Sequence, residues 1–210
     1  KTRHAYAGGA APTVYRVTNL NDSGVGSLRA ALTAAGPRIV IFEVSGYISL
    51  SSNIGIKNPY LYVAGETAPS PGITLRNDYI YVATHDVVIR HLRVRSSNAG
   101  GSTPLGGRGG LSIEQCAYNV VIDHCSVSWH TDDGLSTYSN GTRDSTYSNC
   151  ISSEGLYVDY YNSGSGSLVA VGGAGKLERI SYIPNLSAHT ARRNGGQVDQ
   201  QPLTALVNKG

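Results

Sequence analysis

Arg90, Arg93 and Arg95, with Arg76 a little before them, are the residues of this chain whose type and spacing point most directly to chemistry. A stripe of guanidiniums could hold the carboxylates of an acidic polymer, since each presents a planar fork of donors. Solvated strand faces also use arginine for ordinary reasons, and both readings stay open. The histidines are less telling. His85, His91 and His130 lack the paired spacing of a metal site, so turn or surface roles are expected for them. Asp123-His124 reads as a buried, hydrogen-bonded structural pair inside or beside the coil. Cys116, Cys125 and Cys150 are not arranged in the paired C-x2-4-C units of a zinc site. They permit at most one internal disulfide, and burial as half-apolar thiols is expected for at least two of them. The run Gly106-Gly-Arg-Gly-Gly110 reads as a loop, because no strand-to-helix context makes it a phosphate cradle.

Composition narrows what can position these groups. The chain has 210 residues, a formal charge of +3 and 26 glycines, which fits one domain over residues 1–210. Only 15% of residues are charged, against about 25% in ordinary domains, which excludes a charged disordered tail and a Glu/Lys/Leu-rich bundle. A charge of +3 is too weak to imply nucleic acid. No apolar run approaches the ~18 residues of a membrane span. There is no methionine, so Lys1 is expected to follow a cleavage. Secretion with loss of a signal peptide is the economical explanation, giving an extracellular location. The 14 tyrosines against one phenylalanine could stack as ladders, contact sugars or pack against a neighbour.

The elements emerge from internal repetition. Asn119-Val-Val-Ile-Asp-His-Cys125 recurs in outline as Asp144-Ser-Thr-Tyr-Ser-Asn-Cys150, earlier as Asp86-Val-Val-Ile-Arg-His-Leu92, and later around Tyr182-Ile-Pro-Asn-Leu186. Anchors at Val63, Ile89, Ile122, Tyr147 and Ile183 are spaced 26, 33, 25 and 36 residues apart. Each unit alternates with period 2 (Val87, Ile89; Val120, Ile122), and no helix-length segment connects them. Short parallel strands joined by turns and stacked coil on coil make a right-handed parallel β-helix. That architecture stacks Cys125 beneath Cys150, as an unbonded rung or a disulfide.

One segment departs from the β pattern. Ser27 to Ala35 carries Leu28, Ala31, Leu32 and Ala35 on one helical face behind a serine N-cap, so a short helix over 27–35 is expected to cover the open N-terminal end. Residues 194–210 show no matching cap and read as an irregular tail. Either the domain is cut there or its open end meets something, including copies of itself.

Several long motifs carry a family resemblance. Val14 to Leu32, Gly65-Glu-Thr-Ala-Pro-Ser-Pro-Gly-Ile-Thr-Leu-Arg76, Thr84 to Arg95, Asn119 to Trp129, Thr131-Asp-Asp-Gly-Leu-Ser136 and Asn149 to Leu156 resemble the pectate-lyase-like proteins, over about residues 14 to 193. The resemblance implies the parallel β-helix already inferred and calcium-dependent β-elimination of polyuronates. In that chemistry a cation neutralises the uronate carboxylate and acidifies the adjacent C–H, and an arginine takes the proton. The matching arginine is Arg193, in Ala191-Arg-Arg-Asn-Gly195, where the family usually has proline in place of Gly195. Asp132 and Asp133 fall where the family has an acidic pair and could bind calcium through oxygen. Arg76, Arg93 and Arg95 would then hold substrate.

The departures fall on chemical positions. Gly110 stands where the family places a calcium-ligating aspartate. A His-Ser motif expected after Leu156 has become Tyr160-Tyr-Asn-Ser-Gly-Ser-Gly-Ser167, and Gly196-Gln-Val-Asp-Gln200 lacks an expected basic residue. The fold motifs survive while the site motifs are eroded. The expectation is therefore a secreted, non-catalytic relative, either a self-assembling solenoid or a binder of acidic polysaccharide. The alternative is an active calcium-dependent pectate lyase with Arg193 as base.

Overall fold

A computed structural model describes residues 10–97, 109–138, 141–156, 165–170, 176–190, 196–198 and 206–208. Every paired strand is parallel to its neighbours, and the strands fall into three sheets visited in turn. Sheet 1 contains Thr13–Val17, Arg38–Phe42, Leu61–Ala64, His85–Arg90, Tyr118–Asp123, Arg143–Ser148, Glu178–Ile183 and Leu206–Asn208. Sheet 2 stacks Gly46–Ser49, Ile73–Arg76, Arg93–Arg95, Ser126–Ser128, Ile151–Ser153 and Leu186–Ala188. Sheet 3 stacks Ile54–Ile56, Ile80–Val82, Leu111–Ile113, Asp133–Tyr138, Ser165–Ala170 and Gly196–Val198. One strand from each sheet makes one coil, and the result is the parallel β-helix with a short helix that the repeats imply. Its coils wind right-handed, as parallel crossover connections do.

Alternation along each short strand puts every second side chain inside. Val63, Ile89, Ile122 and Tyr147 form one ladder through sheet 1. Ile48, Leu75, Val94 and Val127 form another through sheet 2, and Ile54, Ile80, Leu111 and Leu135 a third through sheet 3. All of these are buried, each worth about 1.5–3 kcal/mol of apolar transfer. Later coils admit polar residues, with Ser145, Ser152 and Thr137 fully buried. Tyr147 enters the core by donating its hydroxyl to the Ser136 carbonyl.

The last repeat sits one residue away from its sequence alignment. Tyr147 pairs with Tyr182, and Ser148 pairs with Ile183. The inward ladder thus continues to Tyr182, whose ring stacks on Tyr147 at 4.8 Å, whereas Ile183 and Leu186 are 37% and 56% exposed. A slip of one residue moves a side chain to the opposite face, so the apolar resemblance of Ile183 to Ile122 misleads. Asn185 occupies the rung above Cys150. Its Oδ1 accepts from Cys150 N at 2.8 Å and its Nδ2 donates to the Tyr147 carbonyl at 3.0 Å.

The helix spans Leu28–Thr33, shorter than the expected 27–35, because Ala34 is extended (ψ 154°). Ser27 is the N-cap and accepts from Ala30 N at 3.2 Å; Leu28, Ala31 and Leu32 are buried at the N-terminal end of the core. The fully buried Arg38 closes its far end. Its guanidinium donates to the carbonyls of Ala31, Leu32, Gly36, Asn58 and Pro59 at 2.8–3.1 Å. Those carbonyls include two that a helix C-terminus leaves without partners. At the other end, residues 194–210 are not wholly irregular: Gly196–Val198 and Leu206–Asn208 pair onto the preceding coil. The earlier rung imposes their register, which their glycine- and glutamine-rich composition does not announce.

Candidate polyanion-binding face

Each coil turns its corners with residues in the left-handed region. His91, His124 and Asn149 all have φ of 53° between sheets 1 and 2, and Trp129, Glu154 and His189 have φ of 62°, 52° and 51° after sheet 2. These corners frame the outer face of sheet 2. His91 and His124 stack at 4.9 Å on one side, and Trp129 Nε1 donates to Glu154 Oε2 at 3.0 Å on the other.

Between the frames lie three arginines. Arg76 and Arg95 are register partners on adjacent coils, about 4.8 Å apart along the sheet. Arg93 lies on the same outer face, two residues before Arg95 and paired with Thr74. Each is tethered to neutral groups. Arg76 Nε donates to Ser49 Oγ at 2.7 Å and its guanidinium lies 5.6 Å over the Tyr47 ring. Arg93 donates from Nε to Thr74 Oγ1 at 2.8 Å and from Nη2 to the Pro71 carbonyl. Gly72, at φ +86°, lets that guanidinium lie close above the backbone: a Cβ there would come 3.4 Å from Arg93 Nη2. Arg95 donates to the Val94 and Ser126 carbonyls and to Ser126 Oγ, each at 3.0 Å. Burial, and after it the charge of Arg93, push the Arg95 guanidinium below its ordinary range.

No carboxylate pairs with any of these three among the described residues. Arg16, Arg29, Arg90, Arg143 and Arg179 all have one within 4 Å. The sequence grouping therefore needs one correction. Arg90 lies on sheet 1, where Asp123 and Glu66 bind it at 2.9 and 3.4 Å, and it takes no part in the stripe. The three remaining arginines line a groove of about 500 Å³ together with the exposed rings of Tyr47 and Trp129. A second recess of about 560 Å³, holding His91 and His124, adjoins it at Arg93. Tyr47 and Trp129 are site residues that sequence reasoning missed. Nothing in their local sequence marks them, because only the stacking of coils brings them to the arginines.

The acidic pair lies elsewhere on the coil. Asp133 is buried at the start of a sheet 3 strand and Asp132 is half-buried just before it. Gly110 has a steric reason. A Cβ there would stand 2.5 Å from the Gly134 carbonyl and 2.7 Å from the Val127 side chain, and its N–H donates to the Asp133 and Gly134 carbonyls at 3.2 and 3.1 Å. No carboxylate fits at that position. Among the described residues no group of three or more His, Cys, Asp or Glu is placed to hold a metal ion. Arg193 lies outside the described residues, as does the segment Tyr160 to Gly164. Cys125 and Cys150 are buried thiols stacked one coil apart, with no disulfide between them, and Cys116 is exposed.

Comparison with known proteins places this geometry in context. No family model matches the chain. The chain is 36% identical over 180 residues to proteins named probable pectate lyase C from Aspergillus terreus, Aspergillus fumigatus and Emericella nidulans. In each case the match covers 85% of this chain and 40% of the relative, so the chain spans well under half the length of these relatives. Among solved structures, that of jun a 1, the major allergen from cedar pollen, superposes with a TM-score of 0.55 at 19% identity, covering 82% of this chain and 54% of that one. The chain is thus similar over most of its length to proteins named probable pectate lyase C, in agreement with the motifs in its sequence. No helix among the described residues is long and apolar enough to cross a membrane.

Proposed function

We propose that this protein holds an acidic polysaccharide of the polyuronate class along the outer face of sheet 2, outside the cell. The observation that carries this reading is the set Arg76, Arg93 and Arg95, three neighbouring cations with no described carboxylate in ion-pair contact, Glu154 acting on Arg95 only from a greater distance. Like charges held this close repel one another, and a polyanion relieves the repulsion while supplying acceptors to the forked donors. The exposed Tyr47 and Trp129 rings offer apolar faces to the C–H surface of sugars. Relatives named probable pectate lyases support the polymer class.

The reading is of binding without cleavage, because Gly110 leaves no room for the calcium carboxylate that the resemblance requires. Calcium-dependent β-elimination with Arg193 as base is the second reading, favoured by the identity to those relatives. Association with copies of this chain is supported by the terminal strands of the sheets, among them Thr13–Val17 at one end and Leu206–Asn208 at the other, whose outer edges pair with no described strand.

One experiment separates the first two. The protein is incubated with polygalacturonate, with calcium or with a chelator, while co-sedimentation reads binding and ultraviolet absorbance reads unsaturated sugar ends. Binding that survives chelation without new absorbance supports the binder. Calcium-dependent absorbance that disappears in Arg193→Lys makes the protein a lyase, and absence of binding under both conditions removes the sheet 2 reading.

A further inference from the structure

The recess at the corner between sheets 1 and 2 brings two imidazoles and a cation together. His91 and His124 hold equivalent corner positions on successive coils, with ring centroids 4.9 Å apart and planes 21° from parallel. Asn149 takes the same place on the next coil, at the same φ of 53°. Arg93 borders the recess from sheet 2. Its Nε and Nη2 donate to Thr74 and to the Pro71 carbonyl, which leaves Nη1 without a described partner. The cavity of about 560 Å³ has room for an ion and its hydration water.

The charges around this recess cancel while both imidazoles are neutral. Among the described residues the anions are Glu66, on the Gly65–Thr67 turn, and Asp123, at the end of Tyr118–Asp123. The cations are Arg90 and Arg93, so two charges of each sign sum to zero. Arg90 bridges both carboxylates, at 3.4 Å from Glu66 and 2.9 Å from Asp123, and Tyr62 also donates to Glu66. Arg95 faces the adjoining groove, and burial keeps the Cys125 thiol beneath the corner neutral.

Histidine is the side chain whose charge changes between about pH 5 and 8. One proton on each ring would leave the recess with two net positive charges. Rings charged together at 4.9 Å repel each other, and only His124 has a carboxylate beside it, Asp123 at 2.9 Å. The His91 ring has no described hydrogen-bond partner, only its stack on His124. An anion along the two ring edges offsets that repulsion and gains charge-assisted hydrogen bonds.

We infer that this recess is an acid-gated site for a compact oxyanion of the sulfate, phosphate or carboxylate type. The anion lies between the ring edges of His91 and His124 and the unengaged Nη1 of Arg93. Its binding draws protons onto the imidazoles. The same chemistry serves a free ion or a group carried on a polymer. The recess meets the Arg76/Arg95 groove at Pro71, Gly72 and Arg93, and the inference stands apart from the polyuronate reading.

The test titrates inorganic sulfate by calorimetry at about pH 5.5 and about pH 7.5, in buffers of two ionisation enthalpies. Sulfate should bind about tenfold more tightly at the lower pH, with net proton uptake. His91→Asn is the decisive variant, since Asn149 already occupies this corner at the same φ. It should remove most of the acid enhancement, with circular dichroism confirming that the coil is retained. Arg93→Ala should weaken sulfate at both pH values. Dextran sulfate, titrated in parallel, distinguishes a polymer-borne group from the free ion. Equal affinity at the two pH values, an unchanged pH profile in His91→Asn, or no binding of either probe overturns the inference. Sulfate binding without polygalacturonate binding removes the sheet 2 reading alone.

Discussion

Arg90 donates from Nε to Asp123 Oδ2 at 2.9 Å across adjacent coils, and this contact organises the corner between sheets 1 and 2. The same carboxylate accepts from Ser148 Oγ at 2.8 Å and Asn149 Nδ2 at 3.0 Å, and faces His124 Nδ1 at 2.9 Å. One side chain thereby ties three successive coils. Asp123 and His124 thus meet as a hydrogen-bonded pair, but not the buried one expected from the sequence: His124 is exposed, because the corner at φ 53° turns its ring outward onto His91.

The consequence is a pH dependence of stability. Burial alone would raise the Asp123 pKa, but hydrogen bonds from Asn149, His124, Ser148 and Arg90 outweigh it and hold the carboxyl far below the usual range. A depressed folded value means the stabilisation is complete above the unfolded value of about 3.9 and is lost as pH falls below it. Asp123→Asn should cost about 2 kcal/mol at neutral pH. Denaturant titrations from pH 7 to pH 2 should show the gap to wild type narrowing below about pH 4. A gap that stays constant to pH 2 would remove the assignment.

Arg38 is expected to be the most sensitive charged residue. Arg38→Met leaves five carbonyls without their donor, at a cost of about 3–5 kcal/mol. Urea unfolding measures it, and a loss under about 1 kcal/mol would show that water replaces the guanidinium.

Gly110→Ala should destabilise by about 2–3 kcal/mol, because two coils must separate to admit a methyl group. Gly110→Asp should be no better and should not confer calcium binding. A stable Gly110→Asp protein that binds calcium in calorimetry would contradict the packing described.

The register of the last repeat has its own test. Tyr182→Ala should cost about 2–3 kcal/mol through loss of its stack on Tyr147. Ile183→Ala, at an exposed position, should cost under about 1 kcal/mol. The reverse order in thermal unfolding would restore the alignment suggested by sequence.

Each of Arg76→Ala, Arg93→Ala and Arg95→Ala should weaken polyuronate binding about fivefold and flatten its salt dependence. Arg90→Ala should leave affinity unchanged while lowering stability, since its charge is already spent on Asp123 and Glu66. Affinity by calorimetry at two ionic strengths distinguishes the four.

The coil is legible in the repeats alone. Period-2 alternation in Val87-Val-Ile89 and Val120-Val-Ile122, recurring about every 25 residues or more, can bury its apolar side chains only by stacking on copies of itself. The capping helix was equally legible, because Ser27 and the Leu28/Ala31/Leu32 face are local signals. Tertiary structure decided which neighbours meet. It separated Arg90 from Arg93 and Arg95, only three and five residues away, by turning a corner between sheets. It brought Tyr47 and Trp129 to the same groove across several coils. It placed Tyr182 rather than Ile183 inside, and filled the space at Gly110 with Val127 and the Gly134 carbonyl. Such contacts depend on loop lengths and on the register of each coil against the last, and neither is encoded within one repeat.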